Sequence, residues 1–366
     1  MLKRRTVLQA GLGLAFARPL AAAMSESRFD KAADVLNIAV NSGQVHAASL
    51  HVRHRDTVFA KAFGKADTED AIFLLASISK TICVAAVMTL YDAGEFQLDD
   101  PVQKFLPEFQ GDGRDRITMR QLFTHISGLP DQLPENAKLR AAHAPLSEFV
   151  KAAIHTPLLF APGSQYNYSS MAILLATEVA QRISGQPIAS LVAETVCQPL
   201  QMTRSALGVG HLDQQSFMRC QTEHAAPESG AGDPSTKNWD WNSDYWRKLG
   251  APWGTAHGSA GDVAEFLNAF LHPQGRLLRP ETARMMIRNH NPEGMQPRGI
   301  GFDLSSRLQG PKSSRNVFGH TGSTGTLCWA DPTTDSLCVV LTTLPGRAVT
   351  PHPRDTTSQL VAAAVE

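Results

Sequence analysis

The sequence predicts an α+β fold: a mainly antiparallel sheet flanked by helices, split by an inserted and mostly helical lobe. Three observations predict it. Two apolar, β-favouring stretches near the start, 47–52 and 57–63, read as a strand pair around the turn Arg53-His54-Arg55-Asp56. Four more crowd the last fifth, at 299–304, 317–320, 325–330 and 336–343. Between the two groups, apolar residues recur at helical spacing. Strand-rich ends around a helical middle suit one split domain whose ends share a sheet. The expected sheet lobe is 24–100 with 255–366, the expected helical lobe is 101–254, and the cleft between them is the expected active site.

Taken in order, the first 23 residues stand apart. Lys3-Arg4-Arg5 is followed by a modest apolar run, Ala10 to Ala17, then by Arg18, Pro19 and the small residues Ala21-Ala22-Ala23, which together read as a twin-arginine export signal cleaved near Ala23. The mature protein is then expected in the periplasm or secreted. Residues 27–41 carry Phe29, Ala32, Ala33, Leu36 and Ala39 at helical spacing. After the strand pair comes an apolar helix over 81–93. Short helices follow after Asp100 and at 118–125, then longer ones at 145–155, 171–184 and 187–196. The stretch 202–253 is turn-rich and holds four of the five tryptophans, Trp239, Trp241, Trp246 and Trp253. Such a cluster is more often the small core of a long loop than a substrate mouth. Helices at 263–271, 280–289 and 356–365 complete the reading.

Composition narrows the function. Of 366 residues, 43% are hydrophobic and 19% charged, with a formal net charge of zero. That is an ordinary enzyme composition, with nothing to suggest nucleic acid or an anionic membrane as partner. No internal apolar run reaches membrane-spanning length. The five cysteines form no Cys-x-x-Cys pair, and no His-Glu-x-x-His appears, so neither a zinc site nor any cofactor is expected. Cys328 and Cys338 flank the turn 330–335. A turn centred on Thr333 would set them opposite one another, within disulfide reach.

Ser77-Ile78-Ser79-Lys80 opens the 81–93 helix. Residues three apart share a helix face, so an amine beside a hydroxyl at a helix N-terminus can serve as base to a nucleophile. Alone the pair says little, since roughly one Ser-x-x-Lys arises by chance in a chain this long; the plain alternative is a capping serine and a solvated lysine. Two more stretches change that: Tyr166-Asn167-Tyr168-Ser169-Ser170 before a helix, and Gly319-His320-Thr321-Gly322-Ser323 among the late strands.

Together these resemble the serine β-lactamase and penicillin-binding-protein superfamily. The closer likeness is to its class C β-lactamase-like branch, with family VIII carboxylesterases and D-amino-acid-specific peptidases. The order Ser-x-x-Lys, Tyr-x-Asn or variant, Lys/His-Thr-Gly is kept. Asp100-Pro101-Val102, the 124–130 loop, Pro199-Leu200-Gln201-Met202 and Ser259-Ala260-Gly261-Asp262 match it too. The resemblance implies a β-lactamase-like fold and an acyl-enzyme on Ser77. Lys80 would be buried with a lowered pKa, and Tyr168 would shuttle protons. Which of those two is the base stays open, and Tyr166 is the rival if the alignment slips by two. The amides of Ser77 and Ser323 would form the oxyanion hole. Ser170, His320, Thr321 and Gly322 would contact substrate, with Gly322 on an edge that substrate backbone approaches. His125 and Ser127 read as loop formers.

Two positions depart from the β-lactamases. Ser170 stands where many have asparagine, and His320 where they have lysine. Both weaken the grip on a β-lactam and point to an exported carboxylesterase for small esters, with weak β-lactam hydrolysis beside it. A class C-type β-lactamase, a D-stereospecific peptidase and an acylatable sensor of peptidoglycan fragments are the alternatives. The expected partner is a small ester, a β-lactam or a short peptide.

Overall fold

A computed structural model describes residues 28–311 and 313–366. The expected export signal, 1–23, lies outside the described residues. In chain order the elements are α1 (Asp30–Asn41), β1 (Ala47–His54), β2 (Thr57–Gly64), β3 (Phe73–Leu74), α2 (Ile78–Asp92), α3 (Met119–Phe123), α4 (Asn136–Ala141), α5 (Leu146–His155), α6 (Ser170–Ser184) and α7 (Ile188–Val192). Then come β4 (Ala206–Leu207), α8 (Asp244–Lys248), β5 (Ala256–Gly258), α9 (Ala260–Leu271), α10 (Pro280–Met286), β6 (Phe318–Gly322), β7 (Thr326–Asp331), β8 (Ser336–Thr342) and α11 (Pro353–Val365).

The main sheet is five-stranded and antiparallel, ordered β2-β1-β8-β7-β6. The two chain ends do share it, since β1 pairs with β8 in the register Leu50 to Val340. β8 is buried along its whole length, and alternate side chains leave on opposite faces. Cys338 and Val340 join Trp329, Leu50 and Val52 against α1 and α11. Leu337, Val339 and Leu341 face α2 and α9 on the other side. That second core runs unbroken into α5 and α6 and crosses both expected lobe boundaries, through Leu98 and Val102 and through Trp253 and Ala256.

α2 is buried from Ile78 to Met88, as expected of a helix apolar all round. The capping chemistry elsewhere is legible. Thr118 and Gln121 close a capping box on α3, and the Ser169 hydroxyl accepts from the Ala172 amide to start α6, which Gly185 ends in a left-handed conformation.

The structure corrects several expectations. Residues 299–304 form no strand. Gly301 takes a φ of +79° and the Gly299 amide reaches back to the Phe302 carbonyl over 3.0 Å, so the chain folds on itself and keeps only isolated bridges at Arg298 and Asp303. The helix expected to 196 passes at Ala193 into a π turn. α4 and the small sheet β3-β5-β4 had no sequence signal of their own. The register that would set Cys328 opposite Cys338 is also overturned. The turn holds Pro332 to Asp335, with Asp331 paired to Ser336, so its centre lies half a residue beyond Thr333. Cys338 therefore opposes Trp329, Cys328 opposes Val339, and the two thiols lie on opposite faces of the sheet as free, buried cysteines.

Candidate active site

A cavity of about 450 Å³ opens between the sheet and the helices, and all the motif residues border it: Ser77, Lys80, Tyr168, Ser170, His320, Thr321, Gly322 and Ser323. Its construction starts at Ala76. That residue has a φ of +48°, a costly conformation for a side chain with a Cβ, and it turns the chain from β3 into α2. Ser77 follows as the residue flanking the helix, with no side-chain capping bond. The plain alternative of a capping serine is thereby removed, and the hydroxyl is left for other work.

Lys80 Nζ lies 3.0 Å from Ser77 Oγ and donates over 3.0 Å to the Trp253 carbonyl. It is 1% exposed. Burial lowers its pKa to about 8; Arg298 adds to this, while Asp131 opposes it. Tyr168 lays its ring 4.8 Å from Lys80 Nζ. Burial raises its pKa, with Ser77 pulling the other way. Its hydroxyl faces Ser77 without a complete hydrogen bond to any group among the described residues. Tyr168, not Tyr166, thus sits beside the Ser-Lys pair.

The opposite wall is the β6–β7 turn. Thr324 and Thr326 donate their hydroxyls to the Leu74 and Leu75 carbonyls, over 2.7 and 2.9 Å, fastening this turn to the segment that carries Ser77. That fastening by itself requires glycine at 322. A Cβ there would run into the Thr326 hydroxyl and the Leu75 carbonyl. The amides of Ser77 and Ser323 donate to no acceptor among the described residues.

Behind the site lies a charged cluster with little sequence signal. Arg298 and Asp303 are both 0% exposed, with Nη1 and Oδ1 3.5 Å apart; Arg307 donates through Nε to Asp303 Oδ2 over 2.7 Å. Burial alone would push the Asp303 carboxyl up, but the two guanidiniums outweigh it and hold it down. His320 donates through Nδ1 to the Thr321 carbonyl over 2.7 Å and turns Nε2 to Arg298 Nη2 at 3.4 Å. Burial first, and Arg298 second, keep its pKa well below the usual histidine value, so His320 is neutral. His125 is held the same way. It holds loop backbone: its carbonyl accepts from the Asn167 amide and its Nδ1 from the Ser169 amide, which shapes the segment that carries Tyr168 into α6.

Sequence reasoning missed Asp131, which follows directly on the recognised 124–130 loop. Asp131 Oδ1 accepts from the Ser170 hydroxyl over 2.6 Å and from its amide over 3.0 Å. Ser170 borders the cavity as expected, but its donor is committed to Asp131 and is not free for substrate. The adjacent Gln132 reaches Ser170 Oγ with its amide over 3.4 Å. The tryptophans satisfy both readings, since all four are buried while Trp241, Trp246 and Trp253 also line the cavity.

An antiparallel sheet flanked by helices, with serine, lysine and tyrosine converging at a helix start, defines a serine hydrolase of the β-lactamase fold. Residues 23–363 match the Beta-lactamase family, and the chain belongs to that family. It is 32% identical over 323 residues to Esterase EstB of Burkholderia gladioli, covering 78% of this chain and 80% of that protein. A solved family VIII carboxylesterase superposes with a TM-score of 0.74 at 19% identity, over 93% of this chain and 98% of that one. A D-amino acid amidase from Ochrobactrum anthropi SV3 does so with a TM-score of 0.73 at 20% identity, over 92% and 98%.

Proposed function

We propose that the protein is an exported carboxylesterase that cleaves small esters through an acyl-enzyme on Ser77. The observation that carries the reading is Lys80 Nζ at 3.0 Å from Ser77 Oγ in a buried setting that lowers its pKa to about 8. Near neutrality a useful fraction of that amine is unprotonated. It takes the Ser77 proton as Oγ bonds to the ester carbonyl carbon. The raised pKa of Tyr168 keeps the phenol protonated at rest. It therefore suits proton delivery to the departing alkoxide, with resupply from Lys80, better than a first deprotonation. The unspent amides of Ser77 and Ser323 receive the tetrahedral oxyanion, where one such donor is worth on the order of 10²–10³ in rate. Water then attacks the acyl carbon, its proton passing to the same groups, and Ser77 is released.

The small-ester preference is supported by what the site withholds. Ser170 has no free donor for an amide side chain, and His320 supplies no fixed charge. Slow β-lactam hydrolysis is the corresponding expectation. A second reading, a β-lactamase or D-stereospecific peptidase, draws on Arg307 and Arg347 at the cavity, cations that suit a substrate carboxylate. Similarity to EstB, an esterase by name, favours the first.

The test compares p-nitrophenyl butyrate with nitrocefin, using the mature chain and Ser77→Ala. Fast ester and slow β-lactam turnover, both abolished in the variant, is the expected result. Fast nitrocefin turnover supports the second reading. Labelling of Ser77 by a fluorophosphonate with no turnover of either substrate points to a sensor. Export is tested by fractionating cells that carry the full chain and a Lys-Lys replacement of Arg4-Arg5; retention inside only for the latter is expected.

A further inference from the structure

Arg354 lies in the first turn of α11, far along the chain from every motif. Its guanidinium is largely buried yet reaches the wall of the catalytic cavity. Nη1 donates to the Gly322 carbonyl over 2.6 Å and to the Thr326 carbonyl over 3.1 Å. Those two residues pair across the base of the β6–β7 turn. Nε is held by Asp355 over 3.1 Å.

The Gly322 carbonyl and the Ser323 amide belong to one peptide unit. In a trans peptide the C=O and N–H point in opposite directions. A cation fixed on the Gly322 oxygen therefore fixes where the Ser323 N–H points, and by polarising the unit it makes that N–H a stronger donor. The neighbouring groups of the turn are tied down as well. The Ser323 carbonyl accepts from the Gly346 amide over 2.9 Å, and the Gly325 carbonyl accepts from the Thr342 hydroxyl over 2.8 Å. The space for the guanidinium is kept by Gly346, where an added Cβ would lie 2.7 Å from both Nη atoms.

We propose that Arg354 is a positioning residue for the oxyanion hole, orienting and polarising the Gly322–Ser323 peptide from behind so that the Ser323 amide meets the developing oxyanion. The proposal rests on the reading of Ser323 as an oxyanion donor. It separates Arg354 from a substrate-binding arginine, because its effect belongs to the transition state and not to the bound ester.

The experiment uses the full mature chain with Arg354→Ala, Arg354→Lys and Gly346→Ala. The readouts are kcat and KM for p-nitrophenyl butyrate, the Kd of phenylboronic acid, whose tetrahedral adduct with a serine places an oxygen in the hole, and thermal melting. Arg354→Ala is expected to lower kcat about 30- to 100-fold with KM within about twofold, and to weaken the boronate by a similar factor. Arg354→Lys, or guanidinium added to Arg354→Ala, should restore part of kcat. Gly346→Ala, which keeps the charge but crowds it off the turn, should reproduce the loss should Arg354→Ala fail to fold. Unchanged kcat with raised KM would make Arg354 a substrate contact and overturn the proposal, as would boronate affinity equal to wild type in both the Ala and the Gly346 variants. Boronate binding that weakens in these variants, in a protein that turns over no ester, would leave the oxyanion assignment standing while the esterase reading fails.

Discussion

The Ser170 hydroxyl is committed to Asp131, donating to Oδ1 over 2.6 Å while the Ser170 amide reaches the same oxygen over 3.0 Å. A carboxylate is thereby locked beside the nucleophile's lysine, where its charge favours the protonated amine. Arg298, fully buried, does the opposite. Lys80 is thus tuned between two charges of opposite sign.

The acid limb of kcat/KM follows from that tuning. In the proposed mechanism Lys80 must be neutral to accept the Ser77 proton, so activity is expected to rise with pH through the folded value of about 8 and to fall below it. Stopped-flow or steady-state ester hydrolysis between pH 5 and 10 measures the limb. Lys80→Ala should abolish it and cost on the order of 10²–10⁴ in kcat.

Two variants should move the limb in opposite directions. Asp131→Asn removes the charge that holds the Lys80 proton on, so the limb shifts to lower pH. Arg298→Met removes a charge that repels the proton, so the limb shifts to higher pH. The second also leaves one side of the buried Asp303 charge unpaired, and a loss of about 3–5 kcal/mol in denaturant unfolding is expected, whereas half-buried Asp131 should cost less.

Gly322→Ala should fail by crowding. Its new Cβ meets the Thr326 hydroxyl and the Leu75 carbonyl, and part of that wall is backbone that cannot rotate away. A destabilisation of about 1–3 kcal/mol with a larger fall in ester turnover is expected, read by melting and by kcat.

Opposite faces of the sheet separate Cys328 from Cys338. Alkylation of the unfolded protein should label all five cysteines equally with and without reductant, while the folded protein, whose thiols are all buried, should label slowly. Mass spectrometry reads both.

Much of this was legible in the sequence, and the exceptions share a cause. Ser77, Lys80, Tyr168 and His320 stand out in the sequence because three short motifs, taken together, resemble those of the serine β-lactamase superfamily, and the structure brings all four to one cavity. The shared sheet was found because β1 and β8 advertise β character at both ends. Arg298, Arg354 and Asp131 are not legible in the sequence, because each meets a partner remote along the chain, at His320, Gly322 and Ser170. An arginine in a loop or a helix start carries no mark of what it will touch. Residues 299–304 misled because apolar residues between glycines look extended until the positive φ of Gly301 turns them back. The facing of Cys328 and Cys338 fails by a single residue of register, which moves a side chain to the other face.

The pairing of β1 with β8 has one more consequence. The Ala47 amide finds its partner in the Thr343 hydroxyl, 296 positions away; the serine is set near the beginning of the chain, and the turn opposite it near the end. A ribosome that has made Ser77, Lys80 and Tyr168 has still made no hydrolase. On the proposed reading of Arg354, a chain that lacks α11 would hold Ser77 without the contact that Arg354 makes to the Gly322 carbonyl. On the proposed mechanism, a fragment that carries Ser77, Lys80 and Tyr168 but lacks β6 to β8 is expected to turn over no ester, because one wall of the cavity is missing.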